Sequence, residues 1–123
     1  MQAVREQIEL LGETPGLQGC ALVDVDSGMV WFSAGQLDGL DKLAEAAVEY
    51  WRVHLRLKNS FGQLGDLNSA MFAFREGLLA LFPCSSQPSL VLVALAPIAG
   101  MNWLTWGSQV RELKQRIARA NST

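Results

Sequence analysis

The stretch that decides the fold is Leu40–Leu57, LDKLAEAAVEYWRVHLRL. Set at the helical period, it places Leu40, Leu43, Ala44, Ala47, Trp51 and Leu55 on one stripe. A second apolar stripe, Ala46, Tyr50, Val53 and Leu57, lies beside the first, with Val48 on the opposite flank. Together they cover roughly 220° of the circumference, whereas a surface helix needs an apolar arc only a little over 100° wide. The remaining arc is charged throughout: Asp41, Lys42, Glu45, Glu49, Arg52 and Arg56, with Glu49 and Arg52 spaced to pair. One stripe covers the chain's own sheet. The other calls for a second surface. Asp38 or Asp41 is positioned to cap the helix, which is expected to run to about residue 58.

Outward from this helix, residues 2–13 read as a short amphipathic helix, with Val4, Ile8 and Leu11 on one face and Arg5, Glu6, Glu9 and Glu13 on the other. Gly12, then Thr14, Pro15 and Gly16, end it. Residues 18–25 and 29–34 are strands joined at Asp26, Ser27 and Gly28, and because both are rich in β-formers and nearly free of charge, both are expected inside the sheet. Beyond the long helix, residues 67–75 and 78–82 form strands around a tight turn at Glu76 and Gly77. A loop over 83–88 leads to the strand Ser89–Ala96, whose run LVLVAL at 90–95 suits burial on both faces. Asn68, Ser69 and Arg75 make the third strand the most polar, hence an edge. Asn102 caps a last helix with the stripe Trp103, Trp106, Val110, Leu113, Ile117 and Ala120. The order α-β-β-α-β-β-β-α predicts an α+β sandwich: a five-stranded antiparallel sheet with the long helix on one face and the terminal helices on the other. Residues 1–123 are read as one domain.

Composition agrees with a chain that meets a partner. It is 50% hydrophobic and only 18% charged over 123 residues, against roughly 25% charged for ordinary domains. So short a chain exposes much of its surface, and few charges are there to cover it. The net charge of −2 gives no footprint for nucleic acid. Arg111, Lys114, Arg116 and Arg119 are concentrated late in the last helix, where they complement its dipole. The longest uncharged apolar run, 90–99, is half what a membrane helix requires, and the N-terminus does not read as a signal peptide. A cytoplasmic protein without membrane insertion is expected.

Chemistry-bearing motifs are missing. The chain has no P-loop, no dinucleotide fingerprint, no HExxH and no nucleophile elbow. His54 is the single histidine, so a two-histidine metal site is excluded; it reads as a packed side chain beside Trp51 and Leu55. Cys20 reads as a small buried hydrophobe, and Cys84 as a more exposed thiol with no basic neighbour to activate it. Asp24 and Asp26 flank a turn that favours aspartate. No cofactor, metal or catalytic residue is assigned, and the chain is read as a non-enzyme. A second reading is a small-molecule sensor with a pocket lined by Trp31, Trp51, Trp103 or Trp106.

Several phrases resemble the roadblock / dynein light chain family: GLQGCALVDVDSG at 16–28, the helix 40–57, LLALFP at 78–83, and LVLVAL at 90–95 leading into Asn102. Longin and profilin-like domains share parts of the pattern. The roadblock resemblance spans nearly the whole chain and implies a dimer in which long helices pack together and third strands pair edge to edge. Carried onto this sequence, the interface comprises Tyr50, Val53, His54 and Leu57 with Phe72, Phe74 and Arg75. It further implies a non-enzymatic scaffold, as a homodimer or with a paralogue, that binds a Ras-like small GTPase and modulates its nucleotide cycle or localisation. Lys42, Glu45, Glu49, Arg52 and Arg56, on the charged face, are the candidates for touching that partner.

Overall fold

The structure, a computed structural model, describes residues 1–122. Helix α1 (Gln2–Gly12) leads into strands β1 (Gly19–Asp24) and β2 (Val30–Gly35), then helix α2 (Leu40–Leu57). A 3-10 segment (Lys58–Leu64) follows, then β3 (Ala70–Phe74), β4 (Gly77–Ser86), β5 (Ser89–Ala96) and α3 (Trp103–Asn121). The five strands form one antiparallel sheet in the order β2-β1-β5-β4-β3. This is the expected α+β architecture, with α1 and α3 on one face and α2 on the other.

Strand alternation divides the core between the two faces. Cys20, Leu22, Ala80, Phe82, Leu90 and Leu92 meet Val4, Ile8 and Leu11 of α1 and Trp106, Val110, Leu113 and Ile117 of α3. Ala21, Val23, Leu79, Leu81, Val91 and Val93 point the other way, onto Ala44, Ala47, Val48 and Trp51 of α2. Strand β5, buried on both faces, lies at the centre of the sheet. Between α1 and α3 sits a polar side chain that the apolar pattern did not reveal. Gln7 is wholly buried, and its Nε2 donates to the Gln109 carbonyl at 3.1 Å and to Gln109 Oε1 at 2.8 Å.

Strand β3 is an edge, as expected, although Asn68, Ser69 and Arg75, whose polarity suggested it, lie outside the strand. Strand β2 is the other edge and not an interior strand. Low charge does not fix strand order, because α1 covers β2 from one face. Gly12 approaches so closely that a Cβ there would lie 2.5 Å from Ala34 Cβ, and Arg5 lies over the Phe32 ring at 4.9 Å. Pairing skips from Phe32 to Val30, leaving Trp31 as a bulge that interrupts the open edge.

Local signals agree with the structure at the β1–β2 turn and at α3. Asp24 Oδ1 accepts from the amides of Asp26 (3.0 Å) and Ser27 (3.3 Å), and Gly28 takes φ +76°. Asn102 Oδ1 accepts from the Thr105 amide at 3.1 Å. At α2 neither Asp38 nor Asp41 caps the helix. The N-cap is Gly39 at φ +74°, with no side-chain hydrogen bond. The expected loop over 83–88 is also mostly strand, since β4 continues to Ser86 and bulges between Pro83 and Ser85. Proline is tolerated there because β3 has already ended opposite Leu81, so no strand is left on that side to receive a ladder bond. The β3–β4 turn is Arg75 and Glu76, one residue earlier than expected, and β3 starts at Ala70.

Candidate functional site

The long helix has the two-sided character its sequence implied, with shifted boundaries. Leu40, Ala44, Ala47, Val48 and Trp51 are buried against the sheet. Leu43 and Leu55, assigned to that face by period alone, are exposed. One turn before Leu55, Arg52 already reaches the β1–β2 turn. Leu43 instead joins the outer row.

That row is Leu43, Ala46, Tyr50, Val53 and Leu57, with Tyr50 43% and Leu57 48% exposed. Their spacing alternates three and four residues, which is the apolar seam of a helix that packs on another helix. The row continues onto the sheet. The Tyr50 ring stacks on Phe72, the middle residue of edge strand β3, with centroids 4.3 Å apart and 25° between planes. Phe74, at the end of β3, is exposed, as is Arg75 in the turn beyond it. His54 is half-buried, its ring 4.8 Å from Trp51. The seven residues that the resemblance nominated thus lie on α2, on β3 and in the turn that follows β3.

Between the outer row and the β3–β4 hairpin runs a groove of about 850 Å³. Leu37, Leu43, Tyr50, Phe74, Leu78 and Leu95 are among its apolar walls, while Glu49 and Glu76 are its charged residues. Sequence reasoning missed Leu37 and Leu95 here, because only the sheet register brings the end of β5 and the loop before α2 to the same place.

The charged candidates form a row alongside the apolar one. Lys42, Glu45, Glu49 and Arg56 are exposed. Arg52 is engaged within the chain: it pairs with Glu49, as the spacing predicted, and its Nε and Nη2 donate to the Val25 carbonyl at 3.1 and 2.6 Å. It ties α2 to the β1–β2 turn.

The cysteines carry a correction. Cys84 is buried, at 8% exposure, because β4 extends through it, and Lys114 is the charged neighbour the sequence did not reveal. Burial pushes both thiols up to about 12, Lys114 opposing this weakly at Cys84. Such thiols are poor nucleophiles at neutral pH. Among the described residues no group of three or more His, Cys, Asp or Glu side chains could hold a metal, and no helix is long and apolar enough to cross a membrane.

The four tryptophans do not converge. Trp51 packs under α2, whereas Trp31, Trp103 and Trp106 lie on the opposite face of the sheet, the last two 6.2 Å apart beside Phe82. None of them lines the groove. The groove is therefore not the tryptophan-lined pocket of the sensor reading.

No family model matches the sequence, and a search of curated proteins gives no match either. Solved structures do match in shape. A Roadblock/LC7 domain from Streptomyces avermitilis aligns with TM-score 0.79 at 20% identity, covering 97% of this chain and 98% of that one. MglB from Myxococcus xanthus aligns with TM-score 0.79 at 15% identity, covering 98% and 89%. The gliding protein MglB from Thermus thermophilus gives 0.75 at 17%, covering 97% and 90%. Near-complete coverage in both directions assigns the architecture: the chain has the Roadblock/LC7 fold.

Proposed function

We propose that residues 1–123 act as one roadblock-like unit, a dimeric, non-enzymatic scaffold in the cytoplasm that binds a Ras-like small GTPase and modulates its nucleotide cycle or localisation. The observation that carries this reading is the uncovered apolar row of α2, continued onto edge strand β3 through the Tyr50–Phe72 stack. An open edge strand beside an apolar helix face is a liability in a lone molecule, and pairing with a second copy removes both exposures at once. Tyr50, Val53, His54, Leu57, Phe72, Phe74 and Arg75 form the contact in this reading. The partner's role comes from the family resemblance, and the chain's part is to present a surface rather than to do chemistry.

Lys42, Glu45, Glu49 and Arg56 are the residues proposed to face the GTPase, with Arg52 holding the helix in place. The test is capture of GTPases from cytosol on the immobilised chain, with the GTPases loaded with GDP or a GTP analogue. Capture in one nucleotide state, lost when Lys42→Glu and Glu45→Lys are combined while the oligomeric mass is kept, supports the reading. Failure to capture any GTPase in either state contradicts it.

A further inference from the structure

Helix α1 carries its charges at the wrong ends. Arg5 is in the first turn, Glu9 in the last and Glu13 at the C-cap, so all three oppose the helix dipole. No side chain caps its N-terminus, and its 11 residues fall below the roughly 12–15 at which a helix begins to persist alone in water. The segment is therefore helical because it is docked.

Docking uses Val4, Ile8 and Leu11, and in the middle of that stripe the wholly buried Gln7. Nε2 of Gln7 has two acceptors on Gln109, but its Oε1 is buried and has no hydrogen-bond partner in the chain. The other such side-chain atom among the described residues is Trp106 Nε1, one turn before Gln109 on α3. Both unpaired atoms thus belong to the layer made by α1 and α3, and each weighs against burial. The remaining ties are peripheral: Arg116 Nη1 donates to the Ala3 carbonyl at 3.0 Å, and Arg5 lies over Phe32. Beyond α1 the chain is pinned. A Cβ on Gly16 would lie 2.7 Å from the Gly100 oxygen, and the Gln18 amide donates to the Leu95 carbonyl at 2.8 Å. Residues before Gly16 are free to leave without disturbing the sheet.

We infer that α1 is a strap, which opens and unfolds as a unit while the sheet, α2 and α3 stay folded. Opening bares one face of edge strand β2 and the Cys20 thiol, which in the closed form donates to the Ile8 carbonyl at 3.9 Å. Since α1 and α2 lie on opposite faces of the sheet, the inference does not rest on the dimer proposed above.

The test is thiol labelling of the full chain in urea below its unfolding transition, with each labelled cysteine assigned by peptide mass. Cys20 reacts there, at a rate that rises only gently with urea because little surface is exposed, while Cys84 stays protected. Val4→Ala speeds Cys20 labelling by about tenfold. Gln7→Leu removes the unpaired oxygen, leaves the half-buried Gln109 side chain able to reach water, and slows labelling by about threefold or more. Val48→Ala, buried on the α2 face, lowers the urea midpoint but leaves Cys20 labelling at low urea unchanged, because α2 stays packed when α1 opens. Two results overturn the strap. One is Cys20 and Cys84 becoming reactive together, only within the unfolding transition of the parent chain. The other is Val48→Ala accelerating Cys20 labelling in step with global unfolding.

Discussion

Tyr50 on α2 and Phe72 on β3 stack 4.3 Å apart, each at the middle of the element that leaves apolar or hydrogen-bonding surface open. The stack makes one continuous face out of a helix stripe and a sheet edge. Its consequences are open to direct measurement.

Replacing Leu57 or Val53 by Asp puts a carboxylate where, in the proposed dimer, the apolar row meets its partner. Desolvating that charge costs several kcal/mol, so the dissociation constant rises by about a hundredfold or more. Both positions are exposed in the single chain, so the monomer's fold survives. Sedimentation of each variant checks this, and a parental mass and melting temperature would count against the interface.

Arg52→Ala removes two hydrogen bonds to the Val25 carbonyl and the pairing with Glu49. With the side chain about one-third exposed, solvent screening limits the loss to about 1–2 kcal/mol. Arg56→Ala, at an exposed position, stays within about 0.5 kcal/mol of the parent. Urea unfolding of the two variants separates an anchoring arginine from a solvated one.

Truncating Asn102 to Ala leaves the Thr105 amide without its 3.1 Å acceptor at the start of α3. The cost is about 1 kcal/mol. Thermal unfolding reads it, with Asn102→Asp retaining most of the cap.

Thiol chemistry supplies a test of the core. Burial lifts the Cys20 and Cys84 thiols from 9.0 to about 12. For an acid whose folded pKa is raised, the unfolded state loses its proton first. The favourable contribution is therefore complete below about pH 9 and is lost as pH climbs toward 12, at up to about 1.4 kcal/mol per pH unit for each thiol. Neither thiol reacts with a water-soluble disulfide reagent at pH 8 unless urea is added, whereas prompt labelling of the native chain would show the β4 thiol to be open.

What could be read from the sequence followed the range over which each signal acts. Helical period, turn chemistry at Asp24 and capping at Asn102 are local, and they placed α1, the first hairpin and α3 correctly. The excess apolar arc of α2 was legible for the same reason. Strand order is set by pairing between distant segments, so nothing local to Val30–Gly35 marked β2 as an edge. The burial of Cys84 depended on how far β4 runs, which its pairing with β5 determines. Arg52 looked like one more surface charge because its acceptor, Val25, is 27 residues earlier in the chain. The groove was invisible because its walls come from Gln18 before β1, the Leu37 loop, α2, the β3–β4 hairpin and the end of β5.

The most direct measurement is the mass of the purified chain in solution by multi-angle light scattering across a dilution series. A species of about twice 13.4 kDa, shifting to the single-chain mass when Leu57→Asp is introduced, is the predicted result. A stable particle of single-chain mass at high concentration, with the α2 row in contact with nothing but water, would contradict the account.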